Sequence, residues 1–513
     1  MAGLGGGRAC IRTPVIAALA ASLLCLSACQ WVPGAPSPAG WLLREREYPA
    51  LDTELRELAP EILARAIRFN TTNPPGNERP LATYLVGLAK RGGLDARLIE
   101  TPKGTATQGR AAAWARLPGR GTRPPVVLLS HLDVVPADRD DWSVDPFAGV
   151  VGGSTVVGRG ALDAKGVGVV HLLTLLELQR RGIRLDRDVI FLATPDEETG
   201  GVNGAGLIAQ DRRDLLEGAK YLLTEGGSIL PGSAGVPDLW GVTVTEKAPC
   251  WIRLRAHGAP GHGSAASPDA APERLVRALA RIQQLQPKVE VLPEVARMFA
   301  AMGGVAPRED RQRYRNLRGA MALDPDFRER FLAEAGRRAL VEDTVAITVL
   351  KGSPRVNMIP AEARAVLDTR LLPGHSCQAF ARKLADTIDD PAVDIDIVLS
   401  FPSRASSPDS PLFRAIAAVA HHDDPRAVVV PRVIAGFTDS HYFRNLGMVA
   451  YGFVPRRLRP IETRGIHGPN ERISTDNLVY GVKTMIQILQ ALDQQERQDT
   501  RVQGHLEAFG ATH

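Results

Sequence analysis

Four short stretches carry the side chains most able to do chemistry. Ser130 is followed by His131-Leu132-Asp133, and Gly158-Arg159-Gly160-Ala161-Leu162-Asp163-Ala164-Lys165-Gly166 opens a helical stretch. Thr194-Pro195 leads into Asp196-Glu197-Glu198-Thr199-Gly200-Gly201, and Thr224 into Glu225-Gly226-Gly227. One imidazole and several carboxylates in one place form a mixed nitrogen and oxygen donor set suited to Zn²⁺, or to Co²⁺ or Mn²⁺. Repulsion among the carboxylates would make such a cluster costly without cations. Singly, each stretch says little, because His-x-Asp arises by chance and Asp-Glu-Glu is the composition of a solvated turn. Their shared setting, after apolar runs and beside glycines, is the informative part.

The elements behind them are legible. Val126-Val127-Leu128-Leu129-Ser130, Val189-Ile190-Phe191-Leu192-Ala193 and Tyr221-Leu222-Leu223 are near-continuous apolar runs, the pattern of parallel strands covered on both faces. Between the first two, residues 166–181 set Val169, Leu172, Leu173 and Leu176 on one helical stripe. Strand, helix, strand predicts a doubly wound α/β domain, whose ligands bind outside the carboxyl ends of the strands. The four stretches should therefore converge on one rim.

After Glu246 the period changes. Cys250, Ile252, Leu254 and Ala256 alternate as in a half-exposed strand, and Leu275, Leu279 and Ile282 mark a helix. Strands over 345–350 and 363–371 follow, then a helix through Phe380, Leu384 and Ile388, and a strand through Val393, Ile395, Ile397 and Leu399. This β-α-β-β-α-β order predicts a ferredoxin-like α+β unit inserted into the first domain, itself interrupted by an Arg-rich helical segment over 287–342. The expected organisation is a leader over 1–28, a tether over 29–45, a catalytic domain over 46–245 and 404–493, an inserted lid over 246–403, and a frayed polar tail over 494–513.

Composition narrows the class. An apolar fraction of 44% with 23% charged residues excludes wholesale disorder. The balance of 62 Lys+Arg against 57 Asp+Glu is gathered in no basic run interleaved with aromatics, which argues against nucleic acid. Arg8 and Arg12 precede an apolar stretch ending in Leu26-Ser27-Ala28-Cys29, the form of a secretory signal and too short for a membrane span. Two readings stay open: a lipoprotein anchored to the membrane through Cys29, whose ending resembles the bacterial lipobox, or a plain cleaved signal. Either places the chain outside the cytoplasm, the first at a bacterial cell envelope facing the periplasm. Cys250 and Cys377 have no ligand spacing and are expected as buried thiols, with a disulfide open to them in an oxidising compartment.

The order of the four stretches resembles that of the co-catalytic zinc aminoacylase/carboxypeptidase family, which includes acetylornithine deacetylase, succinyl-diaminopimelate desuccinylase, glutamate carboxypeptidase and carboxypeptidase S. The resemblance runs from Phe69-Asn70-Thr71-Thr72-Asn73-Pro74-Pro75-Gly76 to about Leu492, and looks closest to the carboxypeptidase S and N-acyl-amino-acid hydrolase branch. It implies two Zn²⁺ per chain, or Co²⁺ or Mn²⁺. His131 and Glu225 would serve one metal, Glu198 and His467 its neighbour, and Asp163 would bridge them. His467 lies in Gly465-Ile466-His467-Gly468-Pro469-Asn470-Glu471-Arg472, which matches the family's closing histidine motif. Asp133 would hold the imidazole of His131, and a cis peptide would follow Asp163. Glu197 would be the general base in hydrolysis of an amide bond, with a peptide or an N-acyl amino acid as substrate.

The inserted domain would add His262, in Gly258-Ala259-Pro260-Gly261-His262-Gly263-Ser264, as an oxyanion stabiliser that in dimeric members reaches the other subunit. Asn357 and Arg370 would contact substrate, and the lid would carry any homodimer interface. Two departures stand out. Thr224 replaces a family aspartate, leaving Glu225 as the ligand, and His441 replaces the arginine of a Thr-Asp-Ser-Arg loop. Arg444 or Arg370 would then compensate for it beside His441 in substrate binding. The rival reading is a catalytically silent lipoprotein that binds peptide or metal; retention of Glu197 argues against it.

Overall fold

Alternate residues of the apolar runs feed two separate cores, which is why the runs are uninterrupted. Val126–His131, Val189–Thr194 and Tyr221–Thr224 are strands buried along their whole length. Val126, Leu128, Phe191 and Leu223 pack into one hydrophobic cluster, while Val127, Leu129, Ile190, Leu192 and Leu222 enter another on the opposite face. Full burial of each such side chain contributes about 1.5–3 kcal/mol. The computed structural model describes residues 49–101, 109–233 and 235–510, with side chains from 53 to 500. The leader, the tether and Cys29 lie outside the described residues.

The three strands sit inside a nine-stranded mixed sheet. Its order is Asp95–Glu100, Ala111–Leu117, Val189–Thr194, Val126–His131, Tyr221–Thr224, Val449–Gly452, Leu239–Glu246 and Val428–Ile434, with Ser228–Leu230 paired to Leu239–Glu246. The central strands are parallel, with His131 beside Thr194, so the loops that follow them leave the sheet at the same end. Helices Pro49–Arg68, Lys165–Arg180, Pro411–Asp423 and Thr475–Gly510 contribute to the larger core.

The inserted unit has the expected connectivity. A four-stranded antiparallel sheet, ordered Thr344–Lys351, Glu362–Leu371, Ala248–His257 and Val393–Ser400, packs on helices Ala271–Gln283 and Cys377–Ile388. The Arg-rich segment forms its own core of Phe299, Tyr314, Phe327 and Phe331. That core joins Val430 and Val433 of strand Val428–Ile434, so the segment packs against the catalytic sheet.

Two expectations change. Cys250 and Cys377 are not free thiols: they form a disulfide across 127 residues of sequence, tying an inner strand of the lid to the first turn of its second helix. The tail is not frayed at its start. Helix Thr475–Gly510 runs through it, and Asp493 and Glu496 accept from the fully buried Arg187, each at 2.8 Å. The polar residues of 494–500 look solvated in one dimension because their cationic partner lies about 300 positions away. Removing one partner of a buried ion pair strands the other charge, so Glu496→Ala should cost about 3 kcal/mol. Deletion of 494–513 should lower the denaturant midpoint at least as much; a deletion without effect would show the segment to be dispensable.

Candidate metal centre and cleft

His131 closes its strand, and its Nδ1 lies 3.0 Å from the main-chain oxygen of Asp133, so that Nε2 turns to the rim. There Nε2 lies 2.9 Å from Asp163 Oδ1 and 3.4 Å from Glu225 Oε1. The exposed His467 approaches from the solvent side, with Nε2 at 3.2 Å from Asp163 Oδ2 and 3.4 Å from Glu198 Oε2. Asp163 thus faces one imidazole with each oxygen. Two ligands bound at 2.0–2.1 Å to one tetrahedral cation lie about 3.3 Å apart, which is the spacing seen in both groups. Glu198 Oε1 is also buried without a hydrogen-bond partner among the described residues. Donor chemistry, spacing and this orphaned oxygen fit a pair of cations.

The acidic turn Glu197–Thr199 is held from behind. Asp133 Oδ1 and Oδ2 accept from the main-chain N–H groups of Glu197 and Glu198, each at 3.1 Å, and Asn73 Nδ2 donates to Oδ2 at 2.8 Å. The Asp133 carboxylate therefore does more than flank the imidazole, from whose Nδ1 it stands 3.6 Å. Asp196 adopts a left-handed backbone, φ 80°, and its side chain takes hydrogen bonds from Arg110, Thr199 and Asn203. A second brace comes from Glu471. It accepts from the N–H groups of Gly160, Leu162 and Asp163 at 2.7–3.0 Å and pairs with Arg159 at 2.8 Å, joining the His467 loop to the Asp163 loop. The Asp163–Ala164 peptide is cis.

The electrostatics follow from crowding. Burial, and then the charges of Glu225, Glu198 and Asp439, hold Glu197 well above the ordinary carboxylate range, against the opposing effect of His131. Burial and Asp163 push Glu225 up to about 7. Hydrogen bonds to Asp163 and Glu198 raise His467 to about 10. Burial opposes ionisation of Asp163, yet the two imidazoles keep it well below its usual value.

Above this cluster opens a cleft of about 570 Å³, walled by Trp251, Ile434, Phe437, Leu458 and Ile466. Arg370 lines it, stacked 4.8 Å from the Phe437 ring centre and bound to Asp368. His262 and Asn357 are exposed on the lid, where Gly261–His262 pairs with Met358–Ile359, and neither lines the chain's own cleft. His441 and Arg444 depart from expectation. Both are buried on helix Ser440–Asn445 away from the cleft lining. The His441 ring stacks on Phe401 at 3.4 Å, with its pKa pushed down to about 3 by burial and by Arg444. Arg444 is neutralised by Glu246 at 3.0 Å. A residue at i and another at i+3 share a helix face, and here that face meets the sheet.

Sequence reasoning passed over Asn73, Arg110, Asp196 and Glu471 as positioning residues. Three of them stand in stretches singled out for other members, while Arg110 has no local signal at all.

Comparison with known proteins agrees with this geometry. The model of peptidase family M20/M25/M40 matches residues 127–491. Mouse N-fatty-acyl-amino acid synthase/hydrolase PM20D1 is 28% identical over 390 residues, spanning 72% of this chain and 74% of that protein. Mouse aminoacylase-1 is 26% identical over 448 residues, spanning 86% and 97%. Among solved structures, the M20 family metallo-carboxypeptidase Sso-CP2 from Sulfolobus solfataricus shares the fold with a TM-score of 0.67 at 19% identity, over 85% of this chain and 99% of that one. Human carnosine dipeptidase 1 does so with a TM-score of 0.65 at 16% identity, over 88% and 98%. With the match covering every strand that feeds the rim, the chain belongs to peptidase family M20/M25/M40 and is a metal-dependent amide hydrolase.

Proposed function

We propose that the chain hydrolyses the amide bond next to an amino-acid carboxylate, with N-acyl amino acids as the substrate class ahead of dipeptides. The observation that carries this reading is the pair of donor groups sharing Asp163, with the buried carboxylate of Glu197 grouped beside His131 and Glu225. The choice of N-acyl amino acids rests on the relatives, which include an N-fatty-acyl-amino acid hydrolase and an aminoacylase. In this reading His131, Glu225 and Asp163 would hold one Zn²⁺, and His467 and Glu198, with Asp163 shared, would hold the other. When bound, the metal pair polarises the scissile carbonyl and acidifies water.

The chain's own groups do the rest. Glu197 takes a proton from the attacking water on its carboxylate and passes it to the leaving nitrogen. Its burial among acids makes it more basic than an ordinary carboxylate, which favours that role. The main-chain oxygen of Asp133 accepts the Nδ1 proton of His131 and so leaves Nε2 free as a donor to metal. The apolar cleft walls strip water from the bound amide.

The exposed His262 and Asn357 support a homodimer through the lid, in which each serves the partner's cleft. The Cys250–Cys377 disulfide supports an exported protein, since such bonds persist in oxidising compartments. Export through the leader, with lipidation at Cys29, completes the reading.

Two experiments test it. Glu197→Gln protein should keep two zinc equivalents by metal analysis and lose kcat on the order of 10²–10⁴-fold on N-acyl amino acids; turnover at the wild-type rate would sink the base assignment. Asp133→Asn replaces an oxygen that accepts a main-chain N–H with a donor, and should weaken metal affinity about 10–100-fold in chelator competition. Unchanged affinity there would remove Asp133 from the support of the site.

A further inference from the structure

Three arginines line the cleft, and two of them are committed elsewhere. Arg370 gives Nε and Nη2 to Asp368 at 2.7 and 3.0 Å, leaving only Nη1 without a hydrogen-bond partner among the described residues. Arg456 donates to the main-chain oxygen of Leu162 and lies in the field of Asp163, Glu225 and Glu471. Arg432 differs. Half-buried in the cleft wall, its guanidinium has no hydrogen-bonding or ion-pairing partner among the described residues, and the surrounding protein lowers its pKa. Its donors are therefore free to pair with an anion that enters the cleft.

Its placement is specific. Arg432 lies on strand Val428–Ile434, with its stem laid across Gly241 of the neighbouring strand, where a Cβ would sit 2.3 Å from Arg432 Cδ. Any larger residue at 241 would displace it. Gly241 pairs with Ser228, three residues beyond the metal-facing Glu225. Arg432 and Glu225 line the same cleft, so the guanidinium and the metal-facing carboxylate can address one bound molecule. Two of the candidates suggested by sequence are unavailable, because His441 is stacked on Phe401 and Arg444 is neutralised by Glu246.

We propose that Arg432 binds the carboxylate of the substrate's amino-acid portion, as a specificity-determining residue on the catalytic domain. A planar guanidinium with free donors can take both carboxylate oxygens in parallel. The proposal rests on the hydrolase reading above, and its tests separate the two. In the zinc-loaded protein, Arg432→Gln should lower kcat/KM for N-acetyl-L-methionine by about 10- to 100-fold, mainly through KM. Activity on N-acetyl-L-methioninamide, which lacks the carboxylate, should stay the same, and Arg432→Lys should fall between. Equal loss on acid and amide, or no loss on the acid, would overturn the assignment.

Calorimetry in the Glu197→Gln background gives a readout free of turnover. There the acid should bind about 10-fold or more tightly than the amide, and Arg432→Gln should abolish the difference. Were wild-type protein to hydrolyse neither compound, the hydrolase reading would fail while this titration still decided the role of Arg432. Thermal melting guards against a structural explanation: with no internal partner to lose, Arg432→Gln should melt no lower than wild type. A clear drop in melting temperature would overturn the proposal.

Discussion

Four carboxylates crowded at one rim of a sheet is the constraint on which the rest of the molecule depends. Asp163, Glu197, Glu198 and Glu225 come from three different loops, and their mutual repulsion would drive those loops apart. Cations offset it when present, but the loops must also be held in place by protein. Buried acids that accept main-chain N–H groups do that: Asp133 for the Glu197–Glu198 turn, Asp196 for the segment after it, and Glu471 for the Asp163 loop. Each is matched to a donor or cation behind it, Asn73, Arg110 or Arg159, so the negative charge at the rim is backed by a largely satisfied layer. Glu78 is the exception. Among the described residues its carboxylate oxygens have no hydrogen-bond partner, Arg110 Nε standing 3.8 Å away, and burial together with the charge of Asp133 raises its pKa to about 8.

How much of this was legible follows from the range of the interactions involved. The central strands announced themselves because burial on both faces leaves no polar residue to interrupt them, and the lid because its period alternates. The donor residues were legible through their positions after strands and their order along the chain. The bracing residues were not, since an acid that accepts three main-chain N–H groups looks in sequence like an acid facing water. Glu471 stood within a quoted loop and still gave no sign of its role. Arg110 and Arg187 work through partners 86 and about 300 residues away. His441 and Arg444 were misplaced for a different reason: the residue types were right for anion binding, but helix phase turned both toward the sheet. Arg432 did leave a trace, a lone charge in the otherwise apolar Val428-Val429-Val430-Pro431-Arg432-Val433-Ile434.

The sheet also divides labour between its centre and its edge. Donors to the proposed metals follow strands Val126–His131, Val189–Thr194 and Tyr221–Thr224, near the middle, where both faces are packed and a shift of one residue would reverse every side chain. That makes the reacting groups rigid and hard to vary. The unpartnered guanidinium comes instead from Val428–Ile434, the terminal strand, flanked on one side only. An edge strand tolerates a charged residue that a central one does not.

This edge is where the helical segment over 293–338 packs, through Val430 and Val433 next to Arg432. Without that cover the strand's apolar residues would face water, and the guanidinium beside them would be more fully hydrated and screened. A partly shielded cation discriminates more sharply than a fully hydrated one, because its interaction with a carboxylate is less diluted by solvent. The insertion that interrupts the lid therefore has a physical consequence for the cleft even though most of it lies outside: by covering Val430 and Val433 it shields the arginine between them. In this architecture the centre of the sheet determines which bond can be broken, and its covered edge determines which molecule presents that bond.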